Sequence, residues 1–278
     1  ARTTATATAV RVRSGDGRED RVYLIGAYHT LVNGKTPVAR TYVRGATGPE
    51  TPVEVRIDPR FGDVRDVYYN IVQDIFITRV RPECPYYRVM PAGELGDRMT
   101  EGYAASAVGN PKVAVRDVVY DAENITYSCT VAEYGEAKDR VARLLVDPAE
   151  VPRQTVALFD QARRLRRMFI ETLSVKLGFS GGPVLTALAD PAGGQKILGV
   201  VVAGTQDVAP GRFAVVCPAS ELRDMIDEYE ALAAQPAAGA AGGPWYRGVL
   251  RESEYNDLRW QDQEVKNRFT SPYRASQF

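Results

Sequence analysis

Short runs of apolar residues recur along most of the chain, and residues typical of turns separate each run from the next. The runs are rich in Val, Ile, Tyr and Thr, while Gly, Pro, Asn and Asp stand between them. Strands that bury one or both faces have this length and composition. The pattern predicts an all-β sandwich or barrel with strands in the runs VRVRS, RVYLIGAY, TPVEVRI, VYYNIVQDIFITRV, YAASAVGN, VAVRDVVY, ITYSCTVAEY, KILGVVVAGT and RFAVVCP.

Two segments have the apolar spacing of an amphipathic helix instead. In residues 151–168 (VPRQTVALFDQARRLRRM) the apolar side chains fall roughly on one side of a helix. In residues 218–234 apolar residues recur at helical spacing after Ser220, which is a candidate N-terminal cap. We expect one helical segment before the sequence GFSGG and a second helix at the end of the β region.

The composition changes after the second predicted helix. Residues 235–243 lie in the small-residue stretch QPAAGAAGGP, which predicts a flexible linker. Residues 244–278 then form an aromatic-rich tail, and residues 1–9 at the other end are Thr- and Ala-rich and predict a loose segment. The β region between these ends is long enough to bury a full core.

Charge and cysteine content exclude several classes of protein. The 278 residues include 35 basic and 35 acidic ones, so no overall field attracts nucleic acid or an anionic membrane. Three scattered cysteines are too few for a disulfide framework or a metal knuckle, which predicts a reducing, cytoplasmic compartment. No apolar stretch reaches the roughly 18 residues of a membrane span, and the N-terminus lacks the pattern of a signal peptide.

One dense basic run, ARRLRRMF, has two interpretations. Arg163, Arg164, Arg166 and Arg167 would either grip RNA phosphates or form the solvated face of an amphipathic helix. The second interpretation is favoured, and nucleic acid therefore has only weak support as a partner.

The sequence LGFSGGPVL carries the candidate chemistry, because Ser180 is its one polar side chain. A serine becomes a nucleophile when a histidine held by a carboxylate takes its proton. His29 is the only histidine, and Asp74 heads the apolar run DIFITRV. The glycines let the N–H groups of Gly178 and Ser180 converge on a developing oxyanion. The alternatives are a structural histidine, a carboxylate in a surface turn and a glycine-rich turn with an incidental serine.

Three segments in the order His, Asp, Ser resemble the catalytic motifs of chymotrypsin-like serine proteases: GAYHTL, QDIFITRV and GFSGGPVL. ILGVVVAGT and PGRFAVVCPASELRDMI are similar to the strands and C-terminal helix that close that fold. The resemblance covers roughly residues 10–234. It implies two antiparallel six-stranded β-barrels, the first in residues 10–110 with His29 and Asp74 and the second in residues 111–234 with Ser180.

The resemblance also implies a substrate pocket. Ser174 would form its floor, and Gly204 and Gly211 would line its walls. A neutral floor offers no counter-charge to a buried Lys or Arg, and the chain has no second histidine to bind Gln or Glu. We expect a large apolar residue on the acyl side of the cleaved bond. Phe179 stands where digestive members have an aspartate that pairs with a new N-terminus, so activation by that ion pair is not expected.

Together these features predict a serine endopeptidase that works through an acyl-enzyme, without metal or cofactor. The absence of disulfides and of a signal peptide, together with the non-methionine start, resembles a viral protease cut from a polyprotein. Its substrate would be a polypeptide, its own polyprotein included, in the host cytoplasm. The alternative is a binding or structural protein on the same fold, in which the aromatic tail engages RNA or a viral partner or is a genome-linked segment.

Overall fold

The structure is a computed structural model that describes part of the residues of the chain. These are residues 6–13, 20–33, 38–43, 51–57, 62–85, 87, 92–97, 99, 102–115, 118–121, 125–133, 162–172, 178–187, 194–204, 213–235 and 246–251.

The N-terminal half forms an antiparallel sheet that is open among the described residues. Its strands are β1 (Ala7–Val12), β2 (Arg21–Ala27), β5 (Val64–Asn70), β6 (Ile75–Val80) and β16 (Arg247–Leu250). They lie in the order β1-β2-β6-β5-β16. Two further strands, β3 (Val38–Val43) and β4 (Thr51–Arg56), pair with each other as a separate hairpin.

The C-terminal half forms a closed barrel of six antiparallel strands. These strands are β8 (Ala104–Gly109), β11 (Ile125–Ala132), β12 (Met168–Glu171), β13 (Pro183–Thr186), β14 (Lys196–Gly204) and β15 (Phe213–Pro218). The barrel closes because β13 pairs with both β8 and β14. The short strand β7 (Glu94–Leu95) pairs in parallel with β14, and β9 (Lys112–Val115) forms a hairpin with β10 (Val118–Asp121).

The prediction of a mostly β fold with a closed six-stranded barrel is confirmed for the second half. A second closed barrel is not found among the described residues. In the first half β16 pairs with β5 and forms one edge of the sheet. The described β3–β4 hairpin forms no strand pairs with this sheet. Val55 of the hairpin nevertheless packs into the core of this half.

One hydrophobic cluster joins the two halves. Tyr23 and Ile77 of the open sheet pack in the same cluster as Val215 of the barrel. It also includes Leu222 and Tyr229 of the C-terminal helix α2 (Ala219–Ala233). Because these side chains are almost fully removed from water, their burial fixes the halves against each other.

The helices and chain ends differ in part from the expectations. Helix α2 lies where it was predicted, but its cap position is Pro218 rather than Ser220, and no side chain caps it. Of the other predicted helix, residues 162–164 are helical and Met168 already begins β12, while residues 151–161 lie outside the described part. No helix in the described ranges is both long and apolar enough to cross a bilayer.

Two strands cross the predicted segment boundaries. β1 begins at Ala7, before the predicted boundary at residue 10, because it finds a ladder partner in β2. β16 lies inside the predicted tail and pairs with β5. The other predicted boundaries, including the linker at residues 235–243, are not tested and stay predictions.

Candidate active site

The antiparallel pairing of β2 with β6 brings His29 and Asp74 together. In this register Ala27, the last residue of β2, lies opposite Ile75, the first residue of β6. The helix α1 (Tyr28–Asn33) starts directly after β2, and Asp74 directly precedes β6. Residues next to a pair of opposing strand residues lie close in space. The pairing of β2 with β6 therefore places the imidazole and the carboxylate side by side.

Asp74 makes two hydrogen bonds to His29. Its Oδ2 lies 2.7 Å from Nδ1 of the ring, and its Oδ1 accepts the backbone N–H of His29 at 2.9 Å. The Asp74 side chain is 2% exposed and that of His29 is 36% exposed. A carboxylate only accepts, so Nδ1 carries the proton and Nε2 keeps its lone pair. The ring therefore presents a basic nitrogen on the side away from the buried acid.

The pKa of His29 is set by opposing influences. Burial is the largest and lowers the pKa, but the charge of Asp74 and its hydrogen bond raise it and together outweigh burial. The pKa of His29 is therefore raised above its ordinary value. This shift favours a histidine that accepts a proton readily at neutral pH.

A tight turn over residues 71–74 holds Asp74 in a left-handed backbone conformation with φ of 51°. Its backbone N–H donates to Ile71, and its carbonyl accepts the N–H of Tyr28 at 3.0 Å. Ile71 in turn donates to the carbonyl of Tyr246, the residue before β16. Asp tolerates this conformation better than most residues, and the surrounding hydrogen bonds maintain it.

Ser180 lies in a turn over residues 178–182, termed the serine loop. Gly178 and Gly181 have φ of 104° and 88°, which side chains disfavour. A Cβ at Gly178 would lie 2.3 Å from the carbonyl oxygen of Asn110, and one at Gly181 would lie 1.9 Å from that of Thr6. Both positions therefore require glycine, which explains the pattern around the serine.

Three backbone donors of the serine loop have no hydrogen-bond partner among the described residues. Gly181 donates to Val201 at 2.7 Å and Gly182 donates to Phe179 at 2.8 Å, whereas the N–H groups of Gly178, Phe179 and Ser180 have no such partner. This arrangement is compatible with the predicted role of the Gly178 and Ser180 N–H groups in binding an oxyanion.

Phe179 anchors the loop in the barrel. Its side chain is fully buried, and its ring stacks on Tyr127 with the centroids 5.4 Å apart. The same ring fills the space beside Gly109, where a Cβ would lie 2.6 Å from it. The residue directly before Ser180 is therefore an apolar anchor.

The serine loop lies against the strand that leads to His29. A Cβ at Gly181 would lie 3.2 Å from the backbone nitrogen of Ala27, two positions before His29 in the sequence. Ser180 is also tied to the start of the chain, because its carbonyl accepts the N–H of Thr6 at 3.1 Å. Gly181, the residue after Ser180, thus lies beside the strand that leads to His29.

The predicted pocket residues are only partly described. Gly204 is the last residue of β14 and pairs with Ala214 of β15. Ser174 and Gly211 lie outside the described residues. The pocket and its apolar preference therefore stay predictions.

The basic run contains one residue that departs from both interpretations. Arg163, Arg164 and Arg166 are exposed, as a solvated face requires, but Arg167 is only 4% exposed. Its guanidinium donates to the carbonyl of Gln73, the neighbour of Asp74. The expectation of a solvated face is wrong for this residue, because its side chain turns into the protein and bonds to the residue before Asp74.

The cysteines have none of the features of a nucleophile. Cys84, Cys129 and Cys217 are all buried, and none of them forms a disulfide. Burial raises the pKa of Cys217 to about 11 and that of Cys129 to about 12, so both remain thiols at neutral pH. Within the described ranges no group of three or more His, Cys, Asp or Glu side chains could hold a metal ion.

Comparison with known proteins adds no relative to this description. No protein-family model and no curated protein sequence matches the chain.

Proposed function

We propose that this protein is a serine endopeptidase with Ser180 as nucleophile, His29 as general base and Asp74 as the group that orients the imidazole. One observation carries the proposal. The buried carboxylate of Asp74 lies 2.7 Å from Nδ1 of the only histidine, which leaves Nε2 as the basic nitrogen. The contact of Gly181 with the strand before His29 supports a place for Ser180 near that nitrogen.

In the proposed reaction Ser180 Oγ attacks the carbonyl carbon of the substrate while its proton passes to Nε2 of His29. The negative oxygen of the tetrahedral intermediate accepts hydrogen bonds from the N–H groups of Gly178 and Ser180. The C–N bond then breaks, and His29 returns the proton to the leaving amine. Water, deprotonated by His29, cleaves the resulting ester, releases the acid and restores the serine.

The wider fold and biological setting belong to the same proposal. The closed barrel and helix α2 support a chymotrypsin-like arrangement, with the open sheet as the counterpart of the first barrel. An extended polypeptide with a large apolar residue before the cut is the proposed substrate. Polyprotein processing in a host cytoplasm rests on the sequence resemblance alone.

Hydrolysis of a diverse peptide library by the full chain tests the proposal. Wild-type protein should cleave, and Ser180→Ala and His29→Ala should each lower the rate about 10⁴-fold because the nucleophile or its base is lost. Ser128→Ala is the matched control, since it removes a hydroxyl from β11 of the same barrel and should retain activity. Equal rates for Ser180→Ala and wild type would refute the assignment.

A further inference from the structure

The start of the chain makes direct hydrogen bonds to the serine loop. Besides the N–H of Thr6 bonded to the Ser180 carbonyl at 3.1 Å, two threonine hydroxyls point at the loop. Thr6 Oγ1 donates to the carbonyl of Gly178 at 2.6 Å, and Thr8 Oγ1 donates to that of Gly181 at 2.7 Å. Three carbonyls around the serine therefore accept bonds from residues 6–8.

These hydroxyls are buried, and each faces the loop. Thr6 and Thr8 are 8% and 3% exposed, and Thr6 stands directly before β1 while Thr8 lies within it. Thr6 Oγ1 also accepts the backbone N–H of Asn110 at 3.0 Å, which commits its own proton to Gly178. Burying a hydroxyl without a hydrogen-bond partner costs free energy. The bonds to the serine loop therefore stabilise the buried positions of the two threonines.

Two of the bonded carbonyls, those of Gly178 and Ser180, belong to the peptide units on either side of the one that contains the N–H of Ser180. A peptide unit is planar, so fixing one carbonyl fixes the whole unit. The Gly178 carbonyl shares its unit with the N–H of Phe179, and the Ser180 carbonyl shares its unit with the N–H of Gly181. The unit that contains the N–H of Ser180 lies between these two. Bonds from Thr6 therefore restrain the peptide units that flank this N–H group.

We propose that Thr6 and Thr8 are positioning residues that hold the oxyanion-binding conformation of the serine loop. This role rests on the proposed peptidase function. Phe179, directly before Ser180, is apolar and fully buried, so the hydrogen bonds from Thr6 and Thr8 supply polar restraints that this neighbour cannot. The N-terminal strand would thus set the rate of the chemical step without touching substrate.

Steady-state kinetics on the full chain test the role. Thr6→Val and Thr8→Val keep the shape and strand propensity but remove the hydroxyl. Each should lower kcat about 10- to 100-fold with little change in KM, because the loss falls on the transition state. Thr6→Ser and Thr8→Ser restore the donor and should recover most of the rate. A loss that serine does not rescue would contradict the proposal.

Thr78→Val is the matched control. The Thr78 hydroxyl is also buried and donates to backbone carbonyls, those of Arg65 and Asp66, but within the open sheet. Thr78→Val should lower Tm about as much as the Thr6 and Thr8 valine variants do, while its kcat stays within about 2-fold of the wild-type value. An equal fall of kcat in Thr78→Val would overturn the proposal. If Thr6→Val does not fold, the Thr8 pair decides, because the Thr8 hydroxyl bonds only to Gly181 among the described residues.

The outcomes separate this inference from the function on which it rests. A wild-type protein without activity refutes the peptidase proposal itself. An active wild type with unchanged kcat in both valine variants refutes only the role of the two threonines.

Discussion

The two halves of the molecule hold their parts of the candidate site by different means. The barrel has no open edge in its ring of strands and carries Ser180 on a turn anchored by the buried ring of Phe179. The N-terminal sheet is open among the described residues and carries His29 and Asp74 at the ends of two inner strands. The difference implies that the position of Ser180 depends on core burial in the barrel, while the positions of His29 and Asp74 depend on strand pairing in the open sheet.

The edges of the open sheet are where the rest of the chain meets the site. β1 forms one edge and bonds to the serine loop. β16 forms the other edge, and Tyr246 just before it bonds to the turn that holds Asp74. An exposed strand edge invites further pairing, and here both edges are used to support site residues.

The largest expected effect comes from the buried acid. Asp74→Asn should lower kcat/KM about 10⁴-fold, because a neutral amide no longer favours the required imidazole tautomer or stabilises its cation. NMR titration of the single histidine should show that its pKa falls below the wild-type value, since Asp74 raises it. A histidine pKa that does not move would mean that the carboxylate is not paired with the ring.

The next effect tests the anchor in the barrel. Phe179→Ala should lower the free energy of unfolding by about 3–5 kcal/mol, because it leaves a cavity beneath the serine loop. Denaturant unfolding measures this loss. Val72→Ala, at a side chain that is 39% exposed, should change stability by less than about 0.5 kcal/mol. Similar losses for the two variants would contradict the burial of Phe179.

A smaller effect tests β16, the edge strand formed by residues of the predicted tail. A chain ending after residue 251 keeps β16, and one ending after residue 243 removes it. The shorter chain should be less stable by about 2 kcal/mol or more, because it loses the burial of Leu250 as well as the ladder with β5. Equal thermal stability of the two truncated proteins would show that β16 contributes nothing to the sheet.

The smallest effect is a displacement of the pH dependence. Activity needs neutral His29, so kcat/KM should fall with decreasing pH around a midpoint above the ordinary imidazole value of about 6.5. The stability that this raised pKa contributes depends on pH in the opposite direction to activity. A raised folded-state pKa adds stability that is complete below the unfolded pKa and is lost as pH rises through the folded one. A midpoint below the ordinary value would contradict the influence of Asp74.

Local sequence pattern predicted the elements whose residues carry their own signal. The runs KILGVVVAG and FAVVCP became β14 and β15, and the apolar spacing of residues 218–234 became α2. The sequence GFSGG also predicted a loop that depends on glycine, and Gly178 and Gly181 have backbone conformations that favour glycine. The pairing of His29 with Asp74 could be suspected from the order of the motifs, although its geometry depends on the register of β2 and β6.

The features that the sequence pattern did not predict depend on contacts with residues that are distant in the sequence. β16 has only four residues, RGVL, and is a strand because the edge of β5 accepts it. Thr6 and Thr8 stand in an unremarkable Thr/Ala sequence, and their role appears only where the serine loop, more than 170 positions later, meets them. Arg167 looked like its exposed neighbours because a basic run carries no sign of which member turns inward.

Mass spectrometry after reaction with a fluorophosphonate probe tests the central claim, that His29 activates Ser180, most directly. Wild-type protein should carry one adduct, and peptide mapping should place it on Ser180. His29→Ala should leave the same serine unlabelled over the same time, because no base takes its proton. Absence of an adduct in the wild type, an adduct on another serine, or labelling that persists unchanged without His29 would contradict the account.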